Sequence, residues 1–201
     1  MNGEDRFAGA FFSTLRGIFR VALGRVDALR EFGNTPSAFS ASIAPQIAFP
    51  MVGASLLALR GDWVYAAGLM LSRLCGVLVQ PVIIERAAHW LGRRDRWLNT
   101  ATALNWSIWI VFVLIPLGMF ANDVLLALGA GQVGALSLSA GLIAFYMLWL
   151  QGFILRAGLS TSWWKALGLL FVVNLSTAAL YAVPYVFHPG LLSLTLRPAS
   201  G

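Results

Sequence analysis

The sequence predicts an all-α integral membrane protein: five transmembrane helices preceded by an amphipathic cytoplasmic helix. Three observations predict it. Apolar residues make up 59% of the 201-residue chain and charged residues 11%, where soluble domains average about 45–50% and about 25%. Mean hydropathy is +0.77. Five apolar stretches approach the roughly 20 residues that a helix needs to cross a bilayer, and lipid admits only backbone whose polar groups are paired within the segment. Too few charges remain for a separate soluble domain, so the chain reads as one membrane unit.

Residues 1–41 are expected to form the cytoplasmic helix and a linker. Within 6–31, Phe7, Phe11, Leu15, Ile18, Ala22, Val26 and Leu29 recur at spacings of three and four, which places them on one helical stripe. Arg16, Arg20 and Asp27 fall on the opposite side, and Arg25 breaks the stripe after Gly24, marking a bend or an end. Two readings stand for this helix. It lies on the membrane or binds a partner, or it packs against the protein's own spans. Both place it at the cytoplasmic interface. Gly33, Asn34, Pro36, Ser37 and Ser40 make 32–40 a linker, because the residue before proline avoids the α region.

The membrane domain occupies 42–187, with spans at about 42–59, 63–84, 101–121, 135–155 and 166–187. Pro45 and Pro50 fall in the first span, tolerated where neighbours satisfy the freed carbonyls, and Pro81 lies one turn before the end of the second. Gly61-Asp62 is a tight connection. Residues 85–100 interleave Arg86, Arg93, Arg94 and Arg96 with Trp90 and Trp97, a pattern that suits an interfacial helix with tryptophan at headgroup level. The apolar run 124–155 is too long for one span, and Gly129, Gly131, Gln132 and Gly134 interrupt its first part. An external loop is therefore expected at 122–134, with a re-entrant segment at 124–132 as the alternative; nine residues at about 1.5 Å each do not cross. Arg156 to Lys165 reads as a polar cytoplasmic loop, and 188–201 as an external tail in which His188-Pro189-Gly190 ends the last span and 191–201 is disordered.

Orientation follows from the cations. With the N-terminus inside, cytoplasmic segments hold Arg6, Arg16, Arg20, Arg25 and Arg30, then Arg86, Arg93, Arg94 and Arg96, then Arg156 and Lys165, against Arg60 and Arg197 outside. The net charge of +6 thus belongs to the membrane boundary, and no nucleic-acid partner is expected. The opening Met1-Asn2-Gly3-Glu4-Asp5 is acidic where a signal peptide is basic, and Asn2 does not fit a myristoylation motif.

Catalytic patterns are absent. His89 and His188 fall at opposite ends of the domain, no His, Cys, Asp or Glu pair has metal-ligand spacing, and the single Cys75 forms no intrachain disulfide. The expectation is a protein that is not an enzyme and needs no cofactor or metal. The sharpest residue is Arg73, near the middle of the second span, where a cation is costly and faces protein or water. It is either an anion or lipid-headgroup site or a structural bond, with Asn174 and the carbonyl freed by Pro50 as candidate partners. Together Arg73 and Asn174 form a candidate intramembrane polar site. Gln46, Gln80, Asn105 and Gln151 are the other polar residues at depth, read as interhelical hydrogen bonds or as a polar vestibule. Arg16, Arg20, Arg93, Arg94 and Arg96 are candidate lipid-interface residues.

The loop Glu85-Arg86-Ala87-Ala88-His89-Trp90-Leu91-Gly92-Arg93 and the span that opens Ala103-Leu104-Asn105-Trp106-Ser107 and continues to Ile115-Pro116-Leu117-Gly118 resemble the bacterial branch of the Yip family of five-span membrane proteins. Where that family typically has a Tyr-Ser pair, this chain has Trp106-Ser107. The resemblance implies a non-enzymatic inner-membrane protein that acts through membrane lipids, a membrane-protein partner or a second copy of itself, and it brings no catalytic residues. The alternative is a small transporter or channel subunit built around Arg73.

Overall fold

The computed structural model describes residues 3–59, 61 and 63–187. The side chains of Phe7 and Phe11, residue Asp62 of the expected tight connection, and the expected tail at 188–201 lie outside it. Among the described residues all regular structure is helical: α1 (Gly3–Ala22), a 3-10 turn (Val26–Glu31), α2 (Pro36–Leu59), α3 (Trp63–Trp90), α4 (Trp97–Ser107), α5 (Val111–Ala127), α6 (Gln132–Gly158) and α7 (Trp163–Phe187). Five helical units are long and apolar enough to cross a membrane: α2, α3, the joined α4–α5, α6 and α7.

Local chemistry sets the boundaries, and several differ from the sequence expectation. The helix expected over 6–31 is two pieces. Gly24, at φ +75°, closes α1: Arg25 N–H donates to Arg20 O at 3.0 Å and Gly24 N–H to Val21 O at 2.8 Å, which satisfies carbonyls that the helix end leaves free. The chain then doubles back through the 3-10 turn. The linker expected at 32–40 is shorter, because Pro36 serves as a first helical residue and Thr35 Oγ1 accepts from Ala38 N–H at 3.2 Å. α3 runs past residue 84 to Trp90 and closes on Gly92 (φ +66°), so no separate interfacial helix spans 85–100.

The expected external loop at 122–134 and the re-entrant alternative at 124–132 are both corrected. α5 continues to Ala127 and α6 starts at Gln132, leaving only Leu128–Gly131 between them. Apolar Val124, Leu125 and Leu126 keep the helix going until Gly129 ends it, with Ala130 N–H bonded to Leu125 O at 3.0 Å. α6 ends in the same geometry, but its left-handed residue is Ser160, at φ +47°, a conformation that costs a residue with a Cβ about 1–2 kcal/mol. Arg96 donates to the Ser160 hydroxyl.

α4 is the centre of the assembly. Thr100 to Asn105 and Ser107 are all buried, enclosed by α2, α3, α6 and the N-terminal segment. Its polar side chains are paired: Thr100 Oγ1 donates to Arg96 O (2.9 Å), Thr102 Oγ1 to Leu98 O (2.7 Å) and Ser107 Oγ to Leu104 O (2.8 Å). Such back-bonding bends helices, and a 3-10 turn at Ile108–Ile110 follows at once. α6 crosses α4 closely at Gly158, where a Cβ would lie 2.8 Å from Thr100 Cγ2. Around this crossing the apolar core gathers Ile84, Leu104, Leu150, Phe153, Ile154 and Leu155. The core therefore sits at the end of the bundle that carries the cations, called here the basic end. Beyond the 3-10 turn, α5 has no buried residue and packs mainly on α6.

Candidate functional site

α3 and α7 run antiparallel and pack along an extended seam. Pro184 has no N–H, so the carbonyl of Leu180, four residues earlier, loses its helical donor. Ser72 Oγ supplies one at 2.6 Å. One residue on, the ring of Tyr181 enters a notch in α3 made by Gly76, where a Cβ would lie 2.9 Å from Tyr181 Cζ and 3.0 Å from its hydroxyl. Arg73 caps that ring from the same helix, its guanidinium carbon 4.4 Å from the ring centroid.

Arg73 stands ten residues into α3 from Trp63, about 15 Å along the axis and near the middle of a hydrocarbon layer about 30 Å thick. A central arginine costs about 2.5–3.5 kcal/mol on insertion scales. A cation over a ring recovers about 0.5–2 kcal/mol, a substantial part of that. Arg73 and Asn174 do not come together. Asn174 Nδ2 donates to Gln151 Oε1 at 3.2 Å and to Leu170 O at 2.9 Å, facing α6. It is seven residues from Tyr181, about 10 Å along α7. The partner of Arg73 is an aromatic face rather than an amide or the carbonyl freed by Pro50.

The other polar residues at depth mostly bridge helices. Gln46 Nε2 donates to Asn105 O at 3.0 Å, and Asn105 Nδ2 to Ser42 Oγ at 3.0 Å, which ties α2 to α4. Gln151 joins Asn174 between α6 and α7.

At the basic end, Arg16 and Arg20 are engaged. Arg16 Nη2 lies 2.7 Å from Glu31 Oε2 and Arg20 Nη1 2.9 Å from Glu31 Oε1, while Arg20 Nη2 pairs with Asp27. These bonds clamp α1 to the 3-10 turn. The Arg16 hydrogen bond holds the Glu31 carboxyl below its ordinary pKa against the opposing desolvation, and Arg16 is itself pushed up, first by that bond and then by the Glu31 charge. Asn99 docks the clamp on α4: its amide donates to Leu29 O (2.9 Å) and Phe32 O, and its backbone N–H donates to Asn34 Oδ1 at 3.1 Å. Tyr146 adds a bond from its hydroxyl to Ala22 O at 2.6 Å. Arg96 is held by Ser160 and lies 3.8 Å from Asp95, whereas Arg93 and Arg94 are exposed and form no ion pair among the described residues. Of the five candidate interface cations, only these last two are fully available.

Two of the clefts on the surface of the described residues lie between pairs of spans. One, of about 460 Å³, lies between the C-terminal turns of α3 and the first turns of α7, with Arg86 and Lys165 at its rim. The other, of about 350 Å³, lies between α5 and α6 beside Asn122 and Asp123. Arg73 lines neither. No group of three His, Cys, Asp or Glu side chains within metal-binding range occurs among the described residues. Sequence reasoning missed Tyr181, Gly76 and Ser72. The available signal was Pro184, which demands a donor for Leu180 O from a facing helix. Comparison with protein-family models, curated proteins and solved structures finds no match.

Proposed function

We propose that the chain is a non-enzymatic, Yip-like protein of a bacterial inner membrane, and that it works by associating with lipid or a membrane partner through its basic end, which faces the cytoplasm. The observation that carries this reading is the N-terminal clamp. α1 and its 3-10 turn dock on the bundle through buried Ile18, Val21, Leu29 and Phe32, yet leave Phe19 (51% exposed) and Leu23 (77%) outward. These two are four residues apart, on one face of the end of α1, so that end presents apolar surface beyond what it uses for packing. Arg25 and Arg30 are exposed on the same segment, and cations beside exposed apolar residues suit a helix seated at the headgroup boundary.

A photoreactive residue in place of Phe19 tests this. Adducts with lipid or with a separate protein are expected after irradiation of intact membranes; adducts confined to the chain itself would overturn the reading. The transporter alternative draws less support, since the Arg73 guanidinium stacks on Tyr181.

A further inference from the structure

The cleft between α3 and α7 joins two properties, apolar walls and a cationic rim. Its walls are apolar, formed by Ile83, Ala87, Leu169 and Val172, and it reaches Val172, nine residues or about 14 Å along α7 from Trp163. Its rim carries Arg86 and Lys165, one from each helix, with Trp90 and Thr161 beside them. Both cations are exposed, and among the described residues neither has an acidic partner. Arg86 stands one turn before the end of α3, and Lys165 is the third residue of α7. Two unneutralised charges therefore sit at one level, where spans leave the bilayer, above an apolar slot that opens sideways.

We propose that this cleft binds an anionic phospholipid, its phosphate between Arg86 and Lys165 and an acyl chain along the slot towards Val172. The site rests on the reading of the chain as a lipid-associating membrane protein. Charge complementarity selects the occupant. An apolar slot on the flank of two spans is reached from the lipid phase, and a paired arginine and lysine at headgroup depth favour a lipid with net negative charge over a zwitterionic one. Thr161 offers a hydroxyl to the same headgroup, and Trp90, 78% exposed, suits the headgroup level.

Native mass spectrometry of the detergent-solubilised full chain tests the site, using phosphatidylglycerol and phosphatidylcholine of identical acyl composition. Wild type is expected to retain phosphatidylglycerol about thirtyfold better, the scale of two near-surface cations. The Arg86→Gln/Lys165→Gln variant should bind the two lipids alike. Gly168→Phe provides a test without loss of charge: Gly168 lines the cleft, and a Cβ there meets nothing within 4 Å, so the new side chain starts into open space at the slot. It should lose the phosphatidylglycerol preference with unchanged helical circular dichroism. No preference in wild type, or a preference that survives either variant, overturns the site. Lipid or partner adducts at Phe19 alongside either result would sink the cleft alone and leave the wider reading standing.

Discussion

Tyr181 serves Arg73 and Gly76 at once: its ring fills the notch at Gly76 while its face lies 4.4 Å from the Arg73 guanidinium. The Arg73 side chain, exposed on the outside of the bundle, thus lies against the α3–α7 seam at mid-bilayer depth. Truncating each partner has opposite consequences. Arg73→Leu removes a costly charge whose partner is neutral, so the protein should insert and be at least as stable in detergent. Tyr181→Leu empties the notch and leaves the cation facing apolar surroundings, a loss of about 1–3 kcal/mol. The double variant should recover part of it, and Tyr181→Phe, which keeps the ring, should stay within about 0.5 kcal/mol of wild type. Equal losses in Tyr181→Leu with and without Arg73 would show that the stack is incidental.

Ser72 and Pro184 should be coupled. With Pro184 present, Ser72→Ala leaves Leu180 O without a donor at depth and should cost about 1–2 kcal/mol. In a Pro184→Ala background the helix regains the donor from residue 184 to Leu180 O, so the same change should cost less. A thermodynamic cycle in detergent measures this, and full additivity would contradict it.

The N-terminal clamp should loosen in acid. Glu31 is held below its ordinary pKa by Arg16, so its contribution is complete above the ordinary carboxylate range and is lost as pH falls through the lowered value. The raised Arg16 keeps its charge throughout that window. Hydrogen exchange in α1 should rise as pH drops below that range, after correction for intrinsic rates. Glu31→Gln should exchange faster at neutral pH and lose the pH dependence. Arg16→Gln should weaken the clamp only modestly, because the Arg16 side chain is 65% exposed and screened, whereas Glu31 is 13% exposed and retains Arg20.

The five spans were legible because hydropathy and length are properties of a segment by itself. So was the break after Gly24, since a glycine beside a stripe-breaking arginine has a local meaning. The end of α5 was not, because Gly129, Gly131 and Gly134 sit close together and only Gly129 takes the left-handed conformation that ends the helix. The partner of Arg73 was hidden for another reason. Tyr181 is 108 residues away, and nothing local distinguishes a tyrosine that fills a notch from one in an aromatic belt. Asn174 looked equally suitable until the registry of α7 turned it towards Gln151. Arg86 and Lys165 were both read as ordinary juxtamembrane cations; only the pairing of α3 with α7 brings them to one cleft.

Topology tests the central claim most directly, because the proposed association needs the clamp and the basic loops on the cytoplasmic side. Alkaline phosphatase fused after Gly190 should be active, and the same enzyme fused at Arg94 should be inactive, as the distribution of cations predicts. An active fusion at Arg94 with an inactive one after Gly190 would place the basic end outside and contradict the proposal.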